Sequence, residues 1–449
     1  MAIGLAKSNS ISPARLAAFE ILRRVEEGAY ASVLLASREE GLGPLDRALC
    51  HELVMGVLRR QLWLDRLIEF YANRKVTEMD PDVRLVLRLG LYQLRFHSRI
   101  PPSAAVNESV NLCYFARLRS AGGLVNAVLR RAAREPDVDP AITITNPTEK
   151  VAVSTSHPLW LIERWIKAFG REEAESLAHA NNEPAPVAFR VVLNRARHDE
   201  VSDQLRQAGA TLVPSRIAKG AWRVTGARSL LADLVATGKV YLQDEASQLV
   251  AAALEVQPGD RVLDLCAAPG SKTSQIADSM QNSSLIVAGD LHRHRLRTVL
   301  QTAQLHGLRS ILCTVLDGLK SLPFKDKTFD RVLVDAPCSG TGTFRRNPEI
   351  RWRISPADIE DLSRRQKQLL VSASHAVKPG GRLVYSTCSL EADENEGVAQ
   401  TFLENSEGFS SAELLLDKSL LTGSGGARTW PHRDGTDGFF IRAFERKSD

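Results

Sequence analysis

Arg331-Val-Leu-Val-Asp-Ala-Pro-Cys-Ser-Gly-Thr-Gly342 is the stretch on which the reading of this 449-residue chain turns. Val332 to Asp335 is β-branched and apolar and ends in one acid, which predicts a buried strand. Pro337 and the Ser339-Gly-Thr-Gly342 run forbid its continuation and open a loop. Asp335 and Cys338 therefore fall at the carboxyl end of a strand, where open parallel α/β sheets place their chemistry. The device recurs at Arg382-Leu-Val-Tyr-Ser-Thr-Cys-Ser389, an apolar strand running into a polar loop that carries Cys388. An acid and two cysteines at two strand ends is the layout of a reactive site rather than a packing pattern.

Working outward, the chain from Asp244 onward alternates strands and helices. Strands are expected at Asp260–Cys266, Leu285–Asp290 and Ser310–Leu316, ahead of the two already described. The helix between the last two strands has Ser355 as its N-cap, Pro356 behind it and Asp358 at the third position, and is expected to end at Pro379-Gly380-Gly381. Regular alternation predicts a doubly wound, mostly parallel, Rossmann-like α/β domain over 244–449. Upstream, 145–243 mixes short strands (Val187–Leu193, Gly220–Val224, Val240-Tyr241) with a helix near Val201–Ala208, a small α+β domain. The front of the chain, 1–138, reads as all-α. Apolar positions recur at helical spacing from Pro13 to Glu27 and from Leu45 to Leu58, and Asp80-Pro81 opens a further helix. About six helices of this length make a self-contained bundle. Glu135–Pro140 is a polar, proline-bearing linker.

Composition is that of an ordinary globular chain, 44% hydrophobic and 25% charged, with no apolar run long enough to span a bilayer and no signal pattern at the start. A cytoplasmic protein, without a membrane partner, is the expectation. Six scattered cysteines lack Cys-x-x-Cys spacing, so neither a metal site nor a disulfide framework is expected. Nothing calls for an obligate oligomer, and a monomer is expected. The net charge of +5 permits a nucleic-acid partner without demanding one. The arginines from Arg345 to Arg353, with Arg293, Arg295 and Arg297, are candidate phosphate contacts, and Phe344 and Trp352 are candidates for stacking on bases or for core.

Asp264-Leu-Cys-Ala-Ala-Pro-Gly-Ser-Lys-Thr273 joins the first strand of the α/β domain to a helix. A turn of small residues there lets the backbone approach a ligand, and the helix N-terminus can face an anionic group. Neither the dinucleotide nor the P-loop glycine pattern is present. Asp290, ending the second strand, suits two ribose hydroxyls, and Asp317, ending the third, suits an adenine amino group. Cys266 and Cys313 also read as small buried hydrophobes, a reading preferred for Cys313.

These acids resemble the strand-end set of the S-adenosylmethionine-dependent methyltransferases. More specifically, Gln243-Asp-Glu-Ala-Ser247, Cys266-Ala-Ala-Pro-Gly-Ser-Lys-Thr273, Asp335-Ala-Pro-Cys-Ser-Gly-Thr-Gly342, Arg346-Asn-Pro-Glu-Ile-Arg-Trp352 and Ser386-Thr-Cys-Ser389 resemble the Sun family of RNA cytosine-C5 methyltransferases. The front domain resembles the NusB-like RNA-binding domain at Ala14-Arg15, Leu89-Gly-Leu-Tyr-Gln-Leu94, Pro102-Ser-Ala-Ala-Val-Asn-Glu-Ser-Val110 and Val125-Asn-Ala-Val-Leu-Arg130. The combination points to the bacterial members that act on 16S ribosomal RNA, and the likeness spans nearly the full chain. Ser271 stands where the family usually has a second glycine.

The resemblance implies S-adenosyl-L-methionine as cofactor and RNA, not DNA, as partner. It assigns Cys266, Ala267, Ala268, Pro269, Gly270, Ser271 and Lys272 to the methionine end of the cofactor, Asp290 to the ribose and Asp317 to the adenine. Asp335 would lie beside both cofactor and target base. Carbon 5 of cytosine is a poor nucleophile until a thiolate adds to carbon 6, so the chemistry needs a cysteine. The residues alone do not rank the two: DNA enzymes of this chemistry use a cysteine after proline, here Cys338. The resemblance implies Cys388 as nucleophile, Cys338 in product release and Asp335 in base activation. The alternatives are methylation of transfer RNA, a non-catalytic RNA-binding assembly factor, and an amino-group methyltransferase, which would want Asn/Asp-Pro-Pro-aromatic where Asp335-Ala-Pro-Cys338 stands.

Overall fold

The computed structural model describes residues 11–38 and 41–448. They form two compact units. One runs to Glu183 and takes in Phe344–Arg353; the other comprises Pro184–Thr343 and the chain from Ile354 onward.

The first unit is helical: α1 (Pro13–Glu26), α2 (Ala31–Arg38), α3 (Pro44–Arg59), α4 (Gln61–Ala72), α5 (Pro81–Phe96), α6 (Pro102–Phe115), α7 (Gly122–Arg134), then α8 (Pro147–Thr155), α9 (Leu159–Phe169) and α10 (Arg171–Ala180). As expected, α5 starts with proline at its first position, and the Asp80 carboxylate caps it by accepting from the Asp82 and Val83 amides. Phe19, Leu22, Leu53, Leu67, Leu89 and Leu129 fill a core common to α1 and α3–α7. Arg88, buried among them, is neutralised by Asp65 at 2.7 Å and Glu26 at 2.9 Å. Among the described residues seven α-helices precede the linker, close to the six or so expected.

The segment Phe344–Arg353 corrects one expectation. Three of its arginines are committed within the protein. Arg351 is fully buried and donates to the Ser156 carbonyl and to Asn182 Oδ1, each at 3.0 Å. Arg345 is buried and its carbonyl accepts from Arg59, while Arg353 donates to the carbonyls of Val25, Gly28 and Ala29. Phe344 is core, its ring 6.1 Å from Trp165, and Trp352 donates to the Leu58 carbonyl.

The second unit opens with a β-α-β-β-α-β piece: β1 (Ala188–Val191), α11 (His198–Gln207), β2 (Thr211–Pro214), β3 (Ala221–Thr225), α12 (Arg228–Ala236) and β4 (Val240–Leu242). Its sheet, ordered β2-β3-β1-β4, is antiparallel throughout. There follow α13 (Glu245–Ala253), β5 (Arg261–Asp264), α14 (Ser271–Ser279), β6 (Leu285–Asp290), α15 (Arg293–His306), β7 (Ile311–Val315), β8 (Phe329–Asp335), α16 (Pro356–Ala376), β9 (Val377–Thr387), α17 (Glu396–Asn405), β10 (Phe409–Ser411), β11 (Ala427–Arg428) and β12 (Phe440–Arg446). The main sheet is ordered β10-β12-β9-β8-β5-β6-β7 with β11 on β12. Strands β9 through β7 run parallel, and β12 and β10 close it antiparallel.

Ser355 and Asp358 form the expected reciprocal cap of α16. The helix stops at Ala376, short of the glycines: Lys378 precedes Pro379 and so favours extended backbone, and Val377 already belongs to β9. In this sheet the chain goes one way from β5, to β6 and β7, and the other way to β8 and β9. The switch point therefore lies between β5 and β8, where such sheets open a crevice beyond their carboxyl ends.

Candidate active site

Strands β8 and β9 pair in parallel with Asp335 opposite Ser386. Their ends thus leave the sheet side by side, and the Ser386 hydroxyl donates to Asp335 Oδ1 at 2.7 Å. Three residues beyond Asp335 and two beyond Ser386, the sulfurs of Cys338 and Cys388 lie 3.2 Å apart, within hydrogen-bond reach. The Cys338 thiol is pushed well above the ordinary thiol value by its bond to Cys388, then by burial, then by the charges of Cys388 and Glu394. The two loops are laced together. The Gly342 amide donates to the Cys388 carbonyl at 3.0 Å, and the Gly438 amide to the Gly342 carbonyl at 2.8 Å. Only glycine fits at 342, where a Cβ would stand 2.0 Å from the Gly438 oxygen.

On its other oxygen Asp335 accepts from Lys272 Nζ at 2.6 Å. Burial works against the lysine's charge, but the Asp335 carboxylate together with the charges of Cys388 and Asp264 outweighs it and raises the lysine pKa. The ammonium also faces the Phe439 ring at 5.2 Å. Lys272 lies in the first turn of α14, so this one pair joins the loop after β5 to the end of β8 across the switch point.

The loop Cys266 to Gly270 runs from β5 to α14, and its Ala267 amide donates to the Gly289 carbonyl of β6. Gly270 has φ +105°, and a Cβ there would press on Val299. Asp264, buried at the end of β5, accepts from Thr273 Oγ1 at 2.6 Å through one oxygen; the other has no partner among the described residues. Burial, opposed by the Thr273 bond and reinforced by Asp335, pushes its carboxyl up to about 7. Asp290 ends β6 and accepts from the His292 amide at 2.9 Å and from Arg295 at 3.2 Å. Arg295 donates further to the Ala268 carbonyl, so this arginine, expected on phosphate, braces the loop instead. Arg293 and Arg297 are exposed on α15. Asp317 lies two residues past β7 and accepts from the Leu319 amide. Three carboxylates beyond three adjacent parallel strands, one with a buried oxygen lacking a donor, suit a ligand carrying positive charge, hydroxyls and an amino group. A sulfonium-bearing nucleoside is such a ligand. The Cys266 thiol is pushed up by burial and then by the carboxylates around it, which disqualifies it as a nucleophile at neutral pH. Cys313 packs at the edge of the core.

The structure therefore brings Cys338, Cys388, Asp335 and Lys272 into one cluster and ranges Asp264, Asp290 and Asp317 beside it. Sequence reasoning passed over Ser339, Ser389, Gln366 and Glu394, which lie behind the thiols. The serines stood in the quoted motifs and could have been picked out by their place next to each cysteine. Glu394, in an acid-rich turn, offered no local signal.

Comparison with known proteins agrees across the whole chain. Residues 251–445 match the family described as 16S rRNA methyltransferase RsmB/F, 12–134 the NusB family, and 157–230 the RsmF/B-like ferredoxin-like domain. The chain is 35% identical over 442 residues to the probable ribosomal RNA small subunit methyltransferase B of Bacillus subtilis (strain 168), covering 96% of this chain and 98% of that protein. A protein of the same description from Synechocystis is 37% identical over 442 residues, covering 95% and 98%. Among solved structures, the crystal structure of PH0851 superposes with a TM-score of 0.84 at 28% identity, over 97% of this chain and 99% of that one.

Proposed function

The chain belongs to the 16S rRNA methyltransferase RsmB/F family, and from that premise we propose that it methylates carbon 5 of a cytosine in 16S ribosomal RNA through a covalent cysteine adduct. At the coarser level its activity is S-adenosyl-L-methionine-dependent methylation of ribosomal RNA. The observation that carries the finer reading is the pair of thiols 3.2 Å apart beside the Lys272–Asp335 ion pair.

When bound, the cofactor supplies an electrophilic methyl group. The loop Cys266 to Lys272 would hold its methionine end, Asp290 its ribose and Asp317 its adenine. The target cytosine must leave any stack before its carbon 6 can be reached. Cys388 Sγ, as thiolate, adds to carbon 6, and the electron pair of the 5,6 double bond moves to carbon 5. The Asp335–Lys272 pair supplies the proton or hydrogen bond that ring nitrogen 3 needs as charge develops there. Carbon 5 then takes the methyl group. Loss of the carbon-5 proton to a base restores the double bond and breaks the carbon–sulfur bond. Cys338, still protonated and within hydrogen-bond reach, stabilises the departing Cys388 thiolate, a role in product release. A neutral thiol suits that role, and the resemblance of Ser386-Thr-Cys-Ser389 to the family motif supports Cys388 as nucleophile.

The test uses wild type, Cys388→Ala and Cys338→Ala, each incubated with small-subunit rRNA and methyl-labelled S-adenosyl-L-methionine and resolved on a denaturing gel. Wild type should yield labelled 5-methylcytosine, Cys388→Ala none, and Cys338→Ala a trapped protein–RNA adduct. Methylation by Cys388→Ala would move the nucleophile to Cys338. Tight RNA binding without any transfer by wild type would favour an assembly factor instead.

A further inference from the structure

Behind the two cysteine loops lies a polar knot with no solvent access. Glu394 is fully buried, as are Ser389, Gln366 and Asn395, and Ser339 nearly so. One oxygen of Glu394 accepts from the Ser339 amide at 2.9 Å and from Gln366 Nε2 at 3.0 Å. The other accepts from the Ser389 hydroxyl at 2.5 Å and from the Ser339 hydroxyl. Ser339 follows Cys338 and Ser389 follows Cys388, so a single carboxylate grips both cysteine loops one residue from each sulfur-bearing position. Gln366 adds a third hold on the first loop by donating to the Pro337 carbonyl at 2.9 Å. Glu394 is itself fixed from behind: Tyr385 donates to its carbonyl, and the neighbouring Asn395 donates to the Ser389 carbonyl at 2.8 Å.

The knot suits a carboxylate. All four donors bring their own hydrogens, so the carboxylate satisfies them without a proton. A glutamine could keep its oxygen toward the two N–H donors, which cannot reverse. Its amide nitrogen would then meet two hydroxyls that both donate. Ser389 Oγ already accepts from the Glu391 amide at 3.0 Å and lies 3.0 Å from Ser339 Oγ, so accommodating the amide would require the hydroxyls to turn from their present bonds. Burying an acid merely to stiffen a loop is costly, and its placement where both loops meet calls for a reason.

We propose that Glu394 is a positioning residue that clamps the Cys338 and Cys388 loops together and thereby sets the separation of the two thiols. The proposal rests on the reading of these cysteines as the reacting pair. The charge of Glu394 also bears on Cys338 and adds to what keeps that thiol protonated.

Two readouts separate the clamp from the chemistry. The first needs neither RNA nor cofactor. Phenylarsine oxide condenses across two adjacent thiols, forming two arsenic–sulfur bonds and releasing its oxygen as water, with no change of oxidation state. Full-length wild type should capture it at Cys338 and Cys388, and Cys338→Ala should not. Glu394→Gln should lose capture at least tenfold, and Glu394→Asp should recover part of it. The second is methyl transfer: a displacement near 1 Å costs about a hundredfold, so Glu394→Gln should lower kcat by that order. KM for S-adenosyl-L-methionine should stay close to that of wild type, a split that general unfolding would not give. Should Glu394→Gln fail to fold, Ser389→Ala removes one arm of the clamp and is read by the same two assays. Wild-type capture and kcat in a folded Glu394→Gln, or in Ser389→Ala where that stands in, overturn the proposal. If Cys388→Ala still methylates cytosine while arsenical capture depends on Glu394, the clamp stands and the assignment of the nucleophile fails.

Discussion

Asp335→Asn is the most informative single change, because it keeps the volume and the Ser386 contact while removing a charge. The Lys272 and Asp335 side chains retain 10% and 26% of their exposure, so the ion pair is largely withdrawn from water. Removing one partner of a buried pair strands the other charge at about 3–5 kcal/mol, and partial solvation of Asp335 reduces this to about 2–3 kcal/mol. The lysine's pKa is raised in the fold. Its contribution is therefore fully present below the unfolded value near 10.5 and is lost only as pH rises through the folded one, so the deficit should persist at neutral pH. Denaturant unfolding at pH 7 measures it. The same substitution removes the ion pair assigned to proton transfer at ring nitrogen 3, and single-turnover transfer from labelled cofactor should fall by about 10²–10⁴. A cycle with Lys272→Met should show a coupling of roughly 1–3 kcal/mol. A rate equal to wild type, or a coupling of zero, would refute the pair's place in the site.

Two further outcomes are expected. Asp264→Asn removes a carboxyl whose native pKa is pushed up to about 7. A raised carboxyl pKa means stability present below the unfolded value near 4 and lost as pH rises toward 7, so melts from pH 4 to 8 should show the variant gaining on wild type by up to a few kcal/mol; parallel curves would contradict it. Arg351→Met leaves the Ser156 and Asn182 acceptors without a donor and should destabilise the helical unit by about 2–4 kcal/mol. RNA binding should keep its salt dependence, whereas a phosphate contact would lower the slope by about one.

Much of this architecture was readable from local chemistry. The apolar runs ending in Asp264, Asp290 and Asp335 announce strand ends, and Ser355 with Asp358 announces the start of α16. What local chemistry could not show is pairing at a distance. Arginines 345 to 353 look like a basic patch in one dimension, and only the fold reveals that Arg351 and Arg353 are spent on backbone carbonyls. Thr211–Pro214 is short, mostly exposed and ends in proline, so β2 carries almost no periodic signal, and α12 is little more than two turns long. Glu394 was invisible for a related reason: its partners are two serines and Gln366, one of the serines 55 positions back along the chain.

The meeting of the thiols follows from topology more than from any single side chain. Parallel neighbours emit their loops at the same edge, about 5 Å apart. With Asp335 opposite Ser386, residues two or three positions further along each chain cannot be far from one another. A one-residue slip of β9 against β8 would turn every side chain of that strand to the other face and part the sulfurs. The switch point adds the second constraint. The ends of β5, β6 and β7 carry the carboxylates, and the loops after β8 and β9 carry the thiols. The 2.6 Å contact of Lys272 with Asp335 is a direct polar bridge between the two sets. A change at either end of that bridge should therefore disturb cofactor binding and cysteine chemistry together, raising KM for S-adenosyl-L-methionine while lowering kcat. Glu394, which touches only the thiol side, should move kcat alone.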